Sequence, residues 1–225
     1  WSIQVQNAAL STTAFFGLKV QEVEIDGALR SSSDGLDDIL ERYQDKPILA
    51  ASPQLIQSHV ELLPWVKTAR VERALPNKLV LTMEEKKPAA IWQHEEQFTL
   101  IDRNGDTIDG ASVRNFSNLP IIVGAQVPDK VEESLTFIEQ EQSLKPHIKA
   151  AVLVSGRRWD LQLGESIRVK LPEDDVSRAL ADLAAVAQNY DLMKRDVTII
   201  DMRVEDRMVL RLGQSAGSNV LLNSE

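Results

Sequence analysis

The sequence predicts an α+β fold in two units. Three observations carry this expectation. Apolar residues between 18 and 87 repeat in the order strand, helix, helix, strand, strand. Beyond Pro88 the chain changes to short alternating runs punctuated by turn residues, with two longer helical patterns among them. A hydrophobic fraction of 43% in 225 residues supplies enough apolar surface for packed cores.

The first unit reads as follows. Residues 18–26, LKVQEVEID, place Leu18, Val20, Val23 and Ile25 in a strand whose alternation slips once, between Val20 and Val23; Gly27 follows. Residues 34–43 put Leu36, Ile39, Leu40 and Tyr43 at helical spacing, with Ser33 or Asp34 as the cap and Pro47 beyond the end. Residues 53–63 form a second helix, capped by Ser52 and opened by Pro53, with Leu55, Ile56, Val60 and Leu63 on one face and Pro64 as its stop. Val66 to Arg73 and Lys78 to Glu84 are the two strands of a hairpin turned by ALPN.

The second unit opens on AAIW after Pro88. Strands at 98–101 and 106–108 flank Asn104-Gly105, a strong short-range hairpin signal. A short apolar strand follows Pro120, then a helix over 128–144 that buries Val131, Leu135, Phe137 and Ile138. Residues 151–154 are a strand. RRWDLQLGESIRVKL is a hairpin about Gly164, with Trp159, Leu161 and Leu163 alternating, then Ile167, Val169 and Leu171. An alanine-rich amphipathic helix spans 174–190, and 197–204 with 207–212 close the unit as a last hairpin. The expected organisation is therefore 1–17 as a linker, 18–87 and 88–213 as domains, and 214–225 as a flexible tail.

Composition excludes several classes of chemistry. A net charge of −9 opposes general nucleic-acid binding, which needs a basic face to displace counterions. The chain has no cysteine, so disulfides, zinc-thiolate sites and cysteine nucleophiles are ruled out. No apolar run reaches the ~18 residues of a membrane span, and the first residues lack the pattern of a signal peptide. The expectation is a soluble part of a longer chain whose N-terminal region was removed; a processed secreted protein is the alternative.

No cluster reads as catalytic. His59, His94 and His147 fall on three separate elements, without the close ligand pair of a zinc site. DRNGD at 102–106 lacks the glutamate of a calcium loop and reads as a hairpin turn. Glu84 and Glu85 are adjacent on a strand and point to opposite faces, whereas Asp174 and Asp175 suit the start of a helix. No nucleophile elbow, dinucleotide fingerprint or phosphate loop is present. The expectation is no enzyme, no cofactor and no metal. Basic residues do cluster late in the chain: Arg157, Arg158, Lys194, Arg195, Arg203, Arg207 and Arg211. They read either as solvated charge that blunts a sheet edge or as a docking surface for an acidic partner segment.

Several stretches, in order, resemble one family. They are VQEVEIDG; LPWVKTARVERALPNKLVLTMEEKKPAAIW at 63–92, with Pro64-Trp65-Val66, Pro76-Asn77, Pro88-Ala89 and Trp92; LIDRNGDTI; LPIIVG; RRWDLQL; and IIDMRVEDRMVLRL. Together they resemble the extracytoplasmic part of the bacterial cell-division family FtsQ/DivIB, from about Leu18 to about Leu212. The resemblance implies a POTRA domain (β-α-α-β-β) followed by a β domain with a mixed sheet and packed helices, joined near Pro88. Trp92 is then expected to pack within the β domain or against the joint.

The resemblance also implies a function. Family members are non-catalytic scaffolds, held at the division septum by one N-terminal membrane helix, with this part in the periplasm. They bind FtsB/FtsL-type partners by strand addition at the edge of the β domain. Carried over by position, that site comprises Arg157, Arg158, Arg203, Val204, Asp206, Arg207, Val209, Leu210 and Arg211. Val204 stands where better-described members have tyrosine, and the last strand lacks their tryptophan. Further partners of the POTRA domain would meet Gln57, Glu61, Lys67, Arg70 and Arg73. The alternative function is a POTRA-type chaperone or docking module of an outer-membrane assembly or secretion machine.

Overall fold

The computed structural model describes residues 18–28, 35–204 and 207–213. The chain divides into two compact units, with the boundary between Lys87 and Pro88. The expectations for 1–17 and 214–225 lie outside the described residues, as do Ser33 and Asp34, the expected helix caps.

The first unit is a three-stranded sheet with helices against one face. β1 (Glu22–Asp26) runs parallel to the central β3 (Lys78–Glu85), and β2 (Val66–Ala74) runs antiparallel to it. The expected strand starts later than its apolar pattern does. Val20 exchanges main-chain hydrogen bonds with Lys46 and Asp45, and Ile48 donates to Leu18, so 18–20 pair with a loop and leave the ladder to Glu22 onward. The slip between Val20 and Val23 marks that change of partner.

α1 (Leu36–Glu41) is shorter than expected, and Gly35 holds its N-cap position at φ 102°, a left-handed conformation that glycine adopts without steric cost. α2 (Pro53–Val60) begins as the sequence indicates: Ser52 Oγ accepts the Leu55 N–H at 3.4 Å. Ile56 and Val60 are buried against Val66, Ala69, Val71, Leu79, Leu81 and Met83. Leu55 is exposed, contrary to expectation, because it lies one position off the Ile56–Val60–Leu63 row. A bulge between Val66 and Thr68 lets Val66 and Ala69 both face the core despite their odd spacing.

The second unit is a nine-stranded mixed sheet. Its strands are β4 (Pro88–His94), β5 (Gln97–Asp102), β6 (Thr107–Ile108), β7 (Ile121–Val123), β8 (Ile148–Val154), β9 (Arg158–Leu163), β10 (Ile167–Lys170), β11 (Val197–Asp201) and β12 (Val209–Leu212). They lie in the order β12-β11-β10-β9-β8-β7-β4-β5-β6. The parallel neighbours β7–β8 and β10–β11 are joined through α3 (Val131–Gln140) and α4 (Val176–Tyr190), as parallel pairing requires a crossover.

Trp159, Leu161 and Leu163 from β9, with Ile167 and Val169 from β10, share one core with Leu135 and Ile138 of α3 and Leu180 and Leu183 of α4. Trp92 packs against that same core and donates its indole N–H to the Gly124 carbonyl at 2.8 Å. The DRNG turn is organised by Asp102, only 3% exposed, whose Oδ1 accepts the N–H groups of Asn104 and Asp106 at 2.8 and 3.0 Å.

A candidate partner-binding edge

β12 ends the nine-stranded sheet, and no strand among the described residues pairs with its outer side. Its main-chain groups divide by parity. Gly213 donates to the Asp196 carbonyl at 2.8 Å, and Thr198 Oγ1 donates to the Arg211 carbonyl at 3.2 Å, so both groups face β11. Alternate residues of an antiparallel strand turn their polar groups to the same side. Val209 and Arg211 therefore serve the β11 ladder, and Leu210 and Leu212 present their N–H and C=O groups at the open edge.

Side chains alternate in the same way. Leu210 lies opposite Ile200, which is buried in the core beneath α4, so Leu210 belongs to the helix-bearing face. Val209 and Arg211 lie opposite Asp201 and Ile199 on the helix-free face. All four residues of the strand are exposed; Val209 is 60%, Leu210 43% and Leu212 55% accessible. Three large apolar side chains on a strand paired on one side only, among the described residues, form an open sheet edge.

The helix-free face carries a row of side chains that crosses four strands. Asp160 on β9 pairs in register with Lys170 on β10, Lys170 with Asp201 on β11, and Asp201 with Val209 on β12. Charge alternates along this row and ends at the exposed valine. Arg203 closes on Asp201 with Nε at 2.8 Å from Oδ1 and Nη2 at 2.6 Å from Oδ2. That hydrogen bond, with a smaller electrostatic contribution from Lys170, holds the Asp201 carboxyl below its usual range; Asp201 in turn raises Arg203.

The sequence-derived residues are only partly brought together. Val204, 61% exposed, and Arg207 lie in the segment between β11 and β12, while Val209, Leu210 and Arg211 form the edge itself. Asp206 lies outside the described residues. Arg157 and Arg158 are at the start of β9, with β10 and β11 between that strand and the edge. Arg157 pairs with Glu173 at 3.0 Å and Arg158 with Asp160 at 3.3 Å.

In the first unit, Gln57 Nε2 donates to Glu61 Oε1 at 3.0 Å, and that oxygen also accepts the Ala69 N–H at 3.2 Å. Arg73 donates from Nε and Nη2 to the Ala51 carbonyl at 3.0 and 2.8 Å. These three residues tie β2 to the helix and to the loop before it. Lys67 pairs with Glu84 and Arg70 with Glu72.

Sequence reasoning passed over Asp201 and Lys170. The spacing of Asp201 and Arg203 in DMR was a usable signal, since residues two apart on extended chain share a side. Lys170 joins the row only through strand pairing, which no local pattern reports. Among the described residues, no group of three or more acidic or histidine side chains is placed to hold a metal ion, and no helix is long and apolar enough to cross a membrane.

Two family models match the chain. One, described as POTRA domain, FtsQ-type, covers residues 18–86; the other, described as Cell division protein FtsQ/DivIB, C-terminal, covers 90–203. The chain belongs to the FtsQ/DivIB family. It is a cell-division protein with an FtsQ-type POTRA domain followed by the C-terminal β domain of that family, as the ordered stretches from VQEVEIDG to VLRL imply.

Curated FtsQ/DivIB relatives agree. Cell division protein FtsQ of Rhizobium meliloti is 31% identical over 209 residues, covering 93% of this chain and 67% of that protein. FtsQ of Bradyrhizobium diazoefficiens is 28% identical over 200 residues, covering 89% of this chain and 58% of that protein. The chain thus spans between 58% and 67% of the length of these relatives. The major extracytoplasmic domain of DivIB from Geobacillus stearothermophilus, in its trans isomer, aligns with a TM-score of 0.33 at 16% identity, over 48% of this chain and 97% of that one.

Proposed function

We propose that this FtsQ/DivIB chain is a non-catalytic scaffold of the division machinery that docks FtsB/FtsL-type partners by strand addition at β12. The observation that supports it is the open side of β12, where the main-chain groups of Leu210 and Leu212 meet no strand among the described residues and lie between exposed apolar side chains. A partner strand satisfies those groups, and its side chains set register and choice. Those on the helix-free face meet Val209, Arg211 and the Arg203–Asp201 pair, where an acidic residue suits the Arg211 guanidinium, which has no side-chain partner among the described residues. Arg157 and Arg158 act at a distance from the edge, by fixing Glu173 and Asp160.

The same reading puts the chain on the periplasmic side of the inner membrane at the septum, anchored by a helix preceding it. A second partner on the POTRA domain would meet Lys67 and Arg70, whose ion pairs are solvated. Gln57, Glu61 and Arg73 would have to leave internal hydrogen bonds to take part.

The test is an NMR titration of the chain with the extracytoplasmic segment of the FtsB-type protein from the same genome. Shift changes centred on 197–212, lost in folded Leu210→Pro, are the expected result, because proline removes an outward N–H without touching the β11 ladder. Absence of shifts there at high peptide concentration would sink the proposal.

A further inference from the structure

We infer that β2 of the POTRA domain is a self-complementary edge for a second copy of this chain, held shut by Glu61. When the Glu61 carboxylate leaves the Ala69 N–H, two copies pair antiparallel through β2 about Val71.

β2 ends the three-stranded sheet, and no strand among the described residues pairs with its outer side. The Ala69 N–H meets Glu61 on that side at 3.2 Å, so the main-chain groups of Val71 and Arg73 face the same way by strand alternation. An antiparallel neighbour must present outward groups to outward groups. Pairing about Val71 does so: Val71 meets Val71 of the second copy, and Ala69 meets Arg73 in both directions. The two POTRA sheets then continue as one across a two-fold axis, and the contact closes at a dimer because each copy has used its β2 edge.

Charge selects both the occupant and the register. Arg70 and Glu72 are exposed on the helix-free face, alternating with Ala69 and Val71, which are buried in the core on the other face. Within one strand they pair at 2.6 Å. The Val71 register sets each Arg70 directly opposite Glu72 of the second copy, where side chains of a non-hydrogen-bonded pair lie closest. Sliding one strand by two residues either way sets Arg70 opposite Arg70 or Glu72 opposite Glu72, and like charges directly opposite are destabilising. Main-chain hydrogen bonds thus supply the attraction, and the charges fix the alignment.

Glu61 is the gate. Its Oε1, steadied by Gln57 Nε2 at 3.0 Å, occupies the donor that the Arg73 carbonyl of the second copy would take. Pairing displaces this carboxylate in each copy, so wild type associates weakly and loss of Glu61 favours association.

Analytical ultracentrifugation of the full 225-residue chain tests this. The dimer dissociation constant of Glu61→Ala should be at least about tenfold below that of wild type, because a hydrogen bond to a charged group no longer competes in either copy. Glu61→Gln, whose amide oxygen still accepts, should stay close to wild type. Gln57→Ala, which unsteadies Glu61 but keeps it, should lie between, and it carries the comparison if Glu61→Ala does not fold. On the Glu61→Ala background, Arg70→Glu should reverse the gain and a further Glu72→Arg should restore it. Amide exchange at Val71 and Arg73 should slow on association. A folded Glu61→Ala chain that associates no more tightly than wild type overturns the inference. So does association that Arg70→Glu leaves intact, or that Leu210→Pro abolishes, since the contact would then lie elsewhere.

Discussion

Glu61 reaches from the end of α2 to the edge of the POTRA sheet, where its Oε1 accepts the main-chain N–H of Ala69 at 3.2 Å. Gln57 Nε2 steadies the same oxygen one helical turn back. The N–H of a buried strand residue is thus satisfied by a side chain where another strand would otherwise serve. Glu61→Ala should destabilise the domain by about 1 kcal/mol, the usual consequence of leaving the main-chain donor of a buried residue without its partner. Glu61→Gln should lose less than half of that, since the amide oxygen still accepts. Urea unfolding of the three proteins reads the difference. Equal stability of Glu61→Ala and wild type would mean that water replaces the carboxylate without loss.

Gly105 and Gly164 both turn hairpins with positive φ, 95° and 54°, but their surroundings differ. A Cβ at Gly105 would run into the Pro128 carbonyl; at Gly164 it would meet open space. Gly164→Ala bears only the left-handed backbone penalty, about 1 kcal/mol. Gly105→Ala should cost about 2–4 kcal/mol, because the DRNG turn must also move away from Pro128. Thermal unfolding of the two variants side by side tests this, and similar melting shifts would show that the turn yields cheaply.

Much of the β domain was legible because its strands obey a period of two on one buried face. Trp159, Leu161 and Leu163, then Ile167, Val169 and Leu171, are all buried, as their alternation indicates. The Ser52 cap and the Asn104-Gly105 turn are equally local and were equally legible. Pairing between distant segments was not. Nothing near Lys170 reports that it will stand between Asp160 and Asp201, because β10 and β11 meet only after α4 has crossed the sheet. The same blindness affects charge. Arg157 and Arg203 look available in a one-dimensional reading, yet each is occupied by a carboxylate that folding brings to it or that lies two residues away.

Trp159 joins α3 to the sheet by two means. Its ring is 1% exposed and meets Phe137 edge-on at 5.8 Å between centroids. Its indole N–H donates to Glu133 Oε1 at 3.1 Å, and Lys130 holds the other carboxylate oxygen at 2.9 Å. Trp159→Phe should therefore destabilise by about 1–3 kcal/mol, from lost ring volume and a lost charge-assisted hydrogen bond, and Trp159→Ala by about 3–5 kcal/mol. Glu133→Ala isolates the polar part and should cost about 1 kcal/mol. Chemical denaturation of the set would separate packing from hydrogen bonding; a Glu133→Ala effect as large as that of Trp159→Phe would show the hydrogen bond to dominate.

The Asp201–Arg203 pair predicts an acid-dependent stability next to the open edge of the sheet. Asp201 is held below its ordinary value of 3.8, first by the Arg203 side-chain hydrogen bond. A carboxylate depressed in the folded state stabilises fully above its unfolded pKa, and the contribution disappears as pH falls through the folded value. With side chains 25% and 46% exposed, solvent limits the effect to about 1 kcal/mol or less. Asp201→Asn should accordingly be less stable than wild type at neutral pH by up to that amount, and the two curves should converge as pH drops below 3.8. Raised salt should narrow the gap at neutral pH as well. A constant difference between the two proteins across the whole acid range would show that Asp201 acts through shape and not through its charge.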